Sequence, residues 1–478
     1  MQPTVLFVEP PKELWFVMGD YLPPPMQLLQ LGAYVEREMP EVRLEIADCQ
    51  AEGLDHEGLK RRIAKVSPDV VALSGNMTCN AYTVARAVEV AKEVNPDIKT
   101  VVGGQHYSFL ADASLRKIPE IDFIVRHEGE VTFVELLRRL FDGGSVGGVE
   151  GLSFRHDGEA IHAPDRAFLA NLDTLPYPAY HLVEPLLDRY HFRMMTGRGV
   201  HYFVVEGSRG CQYNCSFCTQ CVHWRHTWRT KSAKRLADEF EYLQERYGGG
   251  GESFFWLADD NFMLAHRGPE FCGAMDRPSL RKATSWFVQA RADDIAKMES
   301  MVPRLRQVGC AWILLGVEHN SETILGDLNK RSSAATAKKA VRILNRSDIL
   351  SQAMFILGSR QESAASAEGL REFVIDLDPG IPIFGCLTPF PGTRTYQEAE
   401  QKGWIEDSNW SHYDMIHAIM PTEHLSRREV QEELYACYRR FFGSVARGLA
   451  GLLSKNRMKR GAYRRFMMKR VLRDLRGL

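Results

Sequence analysis

Short β-branched runs alternate with helical stretches twice along this chain, and each series admits few folds. In residues 1–145 the runs fall at 5–8, 43–46, 70–74, 100–102 and 123–125, with helical patterns such as 27–38 and 82–94 between them. Strands separated by helices at this spacing pair in parallel, which predicts a doubly wound, Rossmann-like α/β sheet. Ligands of such sheets sit beyond the carboxyl ends of the strands. Those ends carry Pro10 and Pro11, Asp48, Ser74-Gly75-Asn76, Gly103-Gly104-Gln105-His106 and Glu128-Gly129-Glu130. Glycine there lets a ligand approach the backbone, and the polar side chains can hydrogen-bond it.

The dipeptide Asp157-Gly158 between apolar runs at 152–155 and 160–162 predicts a β-hairpin. Together with the proline-bearing stretch at 172–180 it makes residues 146–190 a hairpin and linker. A second alternating series fills 191–400, with strands expected at 203–206, 253–258, 285–289, 312–317, 352–357 and 381–387. Helices are expected between them at 233–247, 292–308, 334–345 and 363–375. Six consecutive β/α units curl into a partial TIM-like barrel whose chemistry lies at the C-terminal strand ends. Residues 401–478 lack strand signals and read as a helical region, with helices at 427–453 and 460–478.

A length of 478 residues accommodates these domains, each with its own core. The 60 basic and 61 acidic side chains balance, which gives no support for nucleic-acid binding. No signal-like apolar run or membrane-length apolar stretch occurs, so a cytoplasmic location is expected. Ten cysteines are too few for a disulfide scaffold, and three of them crowd into Cys211-Gln-Tyr-Asn-Cys215-Ser-Phe-Cys218, just after the first barrel strand. Three thiolates on one loop can hold three irons of a 4Fe–4S cluster and leave the fourth open. A zinc site would need a fourth ligand, for which Cys221, His223 and His226 are candidates. The remaining cysteines are scattered and expected to be mostly buried small hydrophobes.

The C-x3-C-x2-C spacing on the first loop of a six-unit barrel resembles the radical S-adenosylmethionine (SAM) superfamily. That resemblance implies that the open iron binds SAM and that a low-potential electron donor triggers its cleavage to a 5′-deoxyadenosyl radical. Asp259 and Asp260 at the second strand end match the segment that contacts the SAM amino group. Arg291 ends the third strand, and Glu318 ends the fourth with a carboxylate suited to ribose hydroxyls. Each has a structural alternative: the aspartates as helix caps, Arg291 as a salt-bridge partner, Glu318 as a first-turn carboxylate.

The N-terminal sheet resembles the cobalamin-binding domain upstream of a large radical SAM subgroup. Gly103-Gly-Gln-His106 and His127-Glu-Gly-Glu130 match its Gly-Gly-x-His and Gly-Glu-Gly-Glu segments, with His127 in place of a glycine. The resemblance implies cobalamin contacts from Ser74, Asn76, Gly103, Gly104, Gln105, His106, Glu128 and Gly129. The Asp-x-His-x-x-Gly motif that supplies an axial histidine is missing, so cobalamin is expected without a histidine from it. The chain also resembles the anaerobic magnesium-protoporphyrin monomethyl ester cyclases, through Trp224-Arg225 and Tyr438-Arg-Arg-Phe-Phe442 among others. It is similar as well to the methanogen enzymes that methylate a glutamine carbon in methyl-coenzyme M reductase.

The expected activity is a cobalamin-dependent radical SAM C-methyltransferase acting on a protein or a large small molecule. A tetrapyrrole oxidative cyclase and a non-catalytic cobalamin sensor are the rivals. Residues 455–478 hold ten Lys or Arg against one Asp, with Tyr463, Phe466, Met467, Val471, Leu475 and Leu478 on one stripe. That helix could pack on the barrel, meet an acidic partner or lie on a membrane.

Overall fold

Seven strands form the first sheet: β1 (Thr4–Glu9), β2 (Arg43–Asp48), β3 (Val70–Ser74), β4 (Lys99–Gly103), β5 (Phe123–Val125), β6 (Leu152–His156) and β7 (Glu159–His162). Their order is β2-β1-β3-β4-β5-β6-β7. The first five are parallel, as the intervening helices require. Alternation along β1 places Val5 and Phe7 in one core and Leu6 and Val8 in the other, so both faces are covered. The hairpin pairs antiparallel onto β5 and extends the sheet to His162. Its turn residues Asp157 (φ 51°) and Gly158 (φ 84°) are both left-handed, as a two-residue hairpin turn demands. The computed structural model describes residues 2–11, 21–281 and 283–476, the side chains of 468–476 excepted.

Next along the chain come β8 (His201–Val205), the short antiparallel pair β9 (Ser208–Gly210) and β10 (Trp228–Thr230), then β11 (Ser253–Leu257), β12 (Thr284–Arg291), β13 (Cys310–Glu318), β14 (Leu350–Leu357) and β15 (Ile381–Cys386). Six of these form a parallel sheet in the order β15-β14-β13-β12-β11-β8, a partial barrel with two free edges. Phe255 stacks outward on Phe240 of the helix Ala233–Tyr247 at 4.3 Å, so its neighbours Phe254 and Trp256 face inward. Inside, Trp312, Phe287, Phe254 and Trp256 form a layered aromatic stack, closest between Phe287 and Trp312 at 4.0 Å.

Each barrel edge is closed by one tyrosine hydroxyl. Tyr180 Oη donates to Val204 O at 2.7 Å and accepts from Val204 N at 2.8 Å, on the β8 edge. Tyr438 Oη donates to Phe384 O at 2.8 Å and accepts from Phe384 N at 3.1 Å, on the β15 edge. An edge strand leaves alternate peptide groups without a ladder partner, and a hydroxyl serves both as donor and acceptor.

Two expected helices are broken. The stretch 292–308 is Ala292–Lys297 and Val302–Gln307, because Pro303 fits only a first turn. The stretch 427–453 is Arg427–Phe442 and Val445–Leu452, since Gly443 ends the first and the Ser444 side chain caps the second by accepting from Arg447 N. The terminal helix spans Arg457–Arg476 and packs Tyr463 and Phe466 inward, with Phe466 5.8 Å from Phe442. Val471, Leu475 and Leu478 of the expected stripe lie outside the described side chains.

Tyr438→Phe should strand the Phe384 peptide group and cost about 1–3 kcal/mol. Guanidinium unfolding should show a lower midpoint, and hydrogen exchange should accelerate first at the Phe384 amide.

Candidate active site at the domain interface

The three clustered cysteines lie on the excursion between β9 and β10, and the base of that loop is held by a buried carboxylate. Asp259, at the end of β11, is fully buried and accepts from Gly207 N at 2.7 Å and from the Ser208 hydroxyl, with Arg267 at 3.6 Å. Gly210 (φ 91°) then turns the chain where a Cβ would fall 2.2 Å from Thr227 O. Ser216 donates its N–H to Leu328 O at 3.0 Å and accepts from Thr395 N at 3.0 Å, tying the loop to two other barrel loops. Cys211, Cys215 and Cys218 are partly exposed. Burial pushes the Cys211 thiol up to about 11.

Of the candidates for a fourth zinc ligand, Cys221 and His226 are hydrogen-bonded elsewhere, while His223 is buried among aromatic rings with Nδ1 lacking a partner. Cys221 is buried, its thiol donating to Cys218 O at 3.0 Å. His223 packs against His127 at 5.1 Å and Phe109 at 6.0 Å. His226 Nδ1 donates to Tyr213 O at 3.3 Å. Among the described residues no three His, Cys, Asp or Glu side chains converge to hold one ion. Three partly exposed thiols on one loop fit a cluster, whose thiolates bind three separate irons.

Arg291 and Glu318 reach the same end of the barrel as the cysteines. Arg291 lies 3.8 Å over the Tyr213 ring inside the cysteine loop and donates to Asp293 at 2.8 Å and Lys330 O at 2.8 Å. Glu318 is left-handed (φ 66°) at an irregularity in the β13–β14 pairing, and Lys330 Nζ sits 2.6 Å from its carboxylate. Its strain is anchored by His319, which the sequence reading missed. His319 is fully buried, and its Nδ1 accepts from Ser321 N at 3.0 Å, which leaves Nε2–H to donate to Glu362 at 3.3 Å. Asp260 is partly exposed, and burial with Asp259 and Glu206 nearby pushes its carboxyl up to about 7. Asp259 itself turns away into its clamp.

Across the interface, the strand-end loops of the first sheet pack closely on one another at glycine. A Cβ on Gly104 (φ 90°) would meet Gly75 C at 2.7 Å and Asn76 N at 2.8 Å. Ser74, Asn76, Gly103 and Gln105 are partly exposed along them, while His106 is buried between Tyr107 and Trp410 with Nδ1 lacking a partner. Burial holds the His106 imidazole down at about 4, hence neutral at pH 7. The partly exposed polar strand ends and the orphaned nitrogen fit a large polar-rimmed ligand such as a corrin. Gln105 Nε2 donates to Gln220 Oε1 at 2.5 Å, two residues beyond Cys218. Gly129 caps the helix Glu130–Phe141.

Glu128 and Glu130 are differently employed. Arg209, 5% exposed and two residues before Cys211, donates to Glu128 at 2.6 Å, Glu130 at 2.6 Å and Glu206 at 2.8 Å. Arg229 adds 3.0 Å to Glu128, whose other oxygen accepts from Leu169 N at 2.6 Å. Burial works against the Glu130 carboxylate, but Arg209 holds its pKa below the usual range. His127 takes a left-handed backbone (φ 59°), which a glycine would hold without strain, and uses its ring to donate to His223 O at 3.0 Å. Sequence reasoning found these residues but not their pairing, because nothing local says that Arg209 faces the other domain.

Arg209→Met should leave two buried carboxylates, Glu128 and Glu130, and the partly exposed Glu206 short of their cation and lower unfolding stability by about 3–5 kcal/mol; an unchanged guanidinium midpoint would contradict the hub. Cys211→Ala, Cys215→Ala and Cys218→Ala should each lose iron and sulfide after anaerobic reconstitution, whereas Cys221→Ala should retain them. Gly104→Val should lose cobalamin while keeping the cluster.

A B12-binding domain model matches residues 19–137, and a radical SAM superfamily model matches residues 205–374. An uncharacterized methyltransferase of Pyrococcus horikoshii is 30% identical over 443 residues, 92% of each chain. An anaerobic magnesium-protoporphyrin IX monomethyl ester cyclase of Rubrivivax gelatinosus is 30% identical over 84% of this chain and 70% of its own. Among solved structures, the radical SAM methyltransferase TsrM from Kitasatospora setae, with cobalamin and a 4Fe–4S cluster bound, superposes with a TM-score of 0.72 at 17% identity over the whole of both chains. The cysteine loop, the strand-end loops of the first sheet that contact it and these matches together make the chain a member of the cobalamin-binding radical SAM family, with a 4Fe–4S cluster, SAM and cobalamin as its cofactors.

Proposed function

We propose that the chain is a C-methyltransferase that moves a methyl group from SAM to an unactivated carbon. The observation that carries this reading is the direct contact of the two cofactor loops, Gln105 with Gln220 and His127 with His223 O. When bound, the cluster and SAM supply a hydrogen-atom abstractor and cobalamin a methyl donor, which SAM's electrophilic methyl cannot replace at an unactivated carbon. Cys211, Cys215 and Cys218 would hold the cluster. Asp260, Arg291 and Glu318 would hold SAM, with Lys330 and His319 fixing Glu318 and Asp259 fixing the cysteine loop. Ser74, Asn76, Gly103, Gly104, Gln105, His106 and Gly129 would line cobalamin. Glu128, its carboxylate taken by two arginines, acts by position.

The barrel's inward face speaks to the substrate. Trp256, Leu314 and Met354 face inward yet stay partly exposed, whereas their outward neighbours Phe255, Leu315 and Phe355 are fully buried. Trp256 stacks on Phe287, which continues the aromatic stack into the barrel, and Gln289 adds an amide. This lining favours a small molecule with a flat apolar body over a glutamine in a protein chain.

Turnover should yield one S-adenosylhomocysteine and one 5′-deoxyadenosine per product, and label from methyl-deuterated SAM should enter the product by mass spectrometry. Substrate oxidation with 5′-deoxyadenosine but no transferred label would reject methyl transfer in favour of the cyclase.

A further inference from the structure

The helix Val445–Leu452 presents an outward face made only of apolar residues. Val445 is 71% exposed, Leu449 52% and Leu453, just past its end, 82%, and Ala446 and Ala450 are exposed beside them. Positions four apart fall on one side of a helix, so the three large side chains form a stripe. The opposite side is already covered. Gly451 admits the Tyr463 ring where a Cβ would come within 2.1 Å of it, and Gly448 faces Met467, both on the helix Arg457–Arg476. An apolar stripe left outside when the same helix is packed on its other side marks a contact surface.

The charge around the stripe selects the partner. Residues 434–473 contain twelve Lys or Arg and no Asp or Glu. Exposed Arg439 precedes the stripe and exposed Lys455 follows it, while Arg440 pairs with Glu372 at 2.8 Å and Arg457 with Glu252 at 3.7 Å. Apolar side chains between cations are what an anionic bilayer accepts, with the stripe entering the acyl boundary and the cations meeting headgroups. A second copy of the chain would have to bring this same cationic region against itself. No helix among the described residues is long and apolar enough to cross a membrane, so the contact is peripheral. We propose that Val445, Leu449 and Leu453, flanked by these cations, dock the enzyme on an anionic lipid surface. The inference is independent of the substrate reading.

The test is co-sedimentation of the full-length holoenzyme with vesicles of equal parts phosphatidylglycerol and phosphatidylcholine, and with vesicles of phosphatidylcholine alone. The mixed vesicles should retain the enzyme, binding should fall as salt rises, and the neutral vesicles should retain much less. The double variant Leu449→Ser, Leu453→Ser, and separately Arg439→Ser with Lys455→Ser, should each weaken binding about tenfold. Cobalamin and iron content, which depend on residues far from this helix in the fold, should stay unchanged and certify folding; Val445→Ser serves as a milder variant if the double one does not hold its cofactors. Failure of the wild-type enzyme to bind the mixed vesicles would overturn the proposal. So would unaltered binding by the leucine variant, or light scattering that shows a dimer which the leucine variant dissolves without loss of vesicle binding.

Discussion

Removing a guanidinium from water is costly enough that it persists only where several acceptors surround it, and Arg209 is such a case. It meets Glu206 of its own domain and Glu128 and Glu130 of the other. The geometry of the site follows from this. Arg209 stands two residues before Cys211, and Glu128 and Glu130 stand where β5 gives way to the helix Glu130–Phe141. One buried cation therefore fixes the start of the cysteine loop against the C-terminal ends of the cobalamin-binding sheet. Arg229 reinforces it from β10, lying 4.7 Å over the Phe168 ring of the linker. Neither domain alone satisfies these charges, so the interface is part of the fold and not a loose docking of two finished units.

Strain gathers at the same place. His127, two residues past β5, and Glu318, the last residue of β13, adopt left-handed backbones. Non-glycine residues hold such conformations where the surroundings over-determine them. For Glu318 the surroundings are Lys330 and the buried His319–Glu362 pair; for His127 they are the Ser108 hydroxyl, which accepts from its N–H at 2.9 Å, and His223 O. Each strained residue thus projects its side chain along a direction that an extended strand would not offer.

Much of this architecture was legible in the sequence because it depends on periodicity. The parallel sheet, the hairpin and the six barrel strands each carry a local pattern of alternating β-branched runs and turn residues, and the cysteine spacing states its own chemistry. What stayed hidden depends on contacts between residues far apart. Asp259 reads as a ligand-binding carboxylate at a strand end, yet its partners are Gly207 and Ser208. Glu128 reads as a cobalamin contact, yet it is spent on Arg209 and Arg229. Tyr180 and Tyr438 carry no sign that each closes a barrel edge. The two broken helices were missed for a milder reason: Pro303 and Gly443 were visible, but hydrophobic periodicity continued across them.

If the cluster loop and the cobalamin-binding sheet face each other across this interface, the two metal cofactors must lie close enough to interact magnetically. Pulsed electron paramagnetic resonance on the anaerobic enzyme carrying cob(II)alamin and a reduced cluster measures the dipolar coupling between the two spins. A clear coupling is expected, which disappears when Cys215→Ala removes the cluster. Two spectra that simply add, with no coupling between them in an enzyme holding both cofactors, would contradict it.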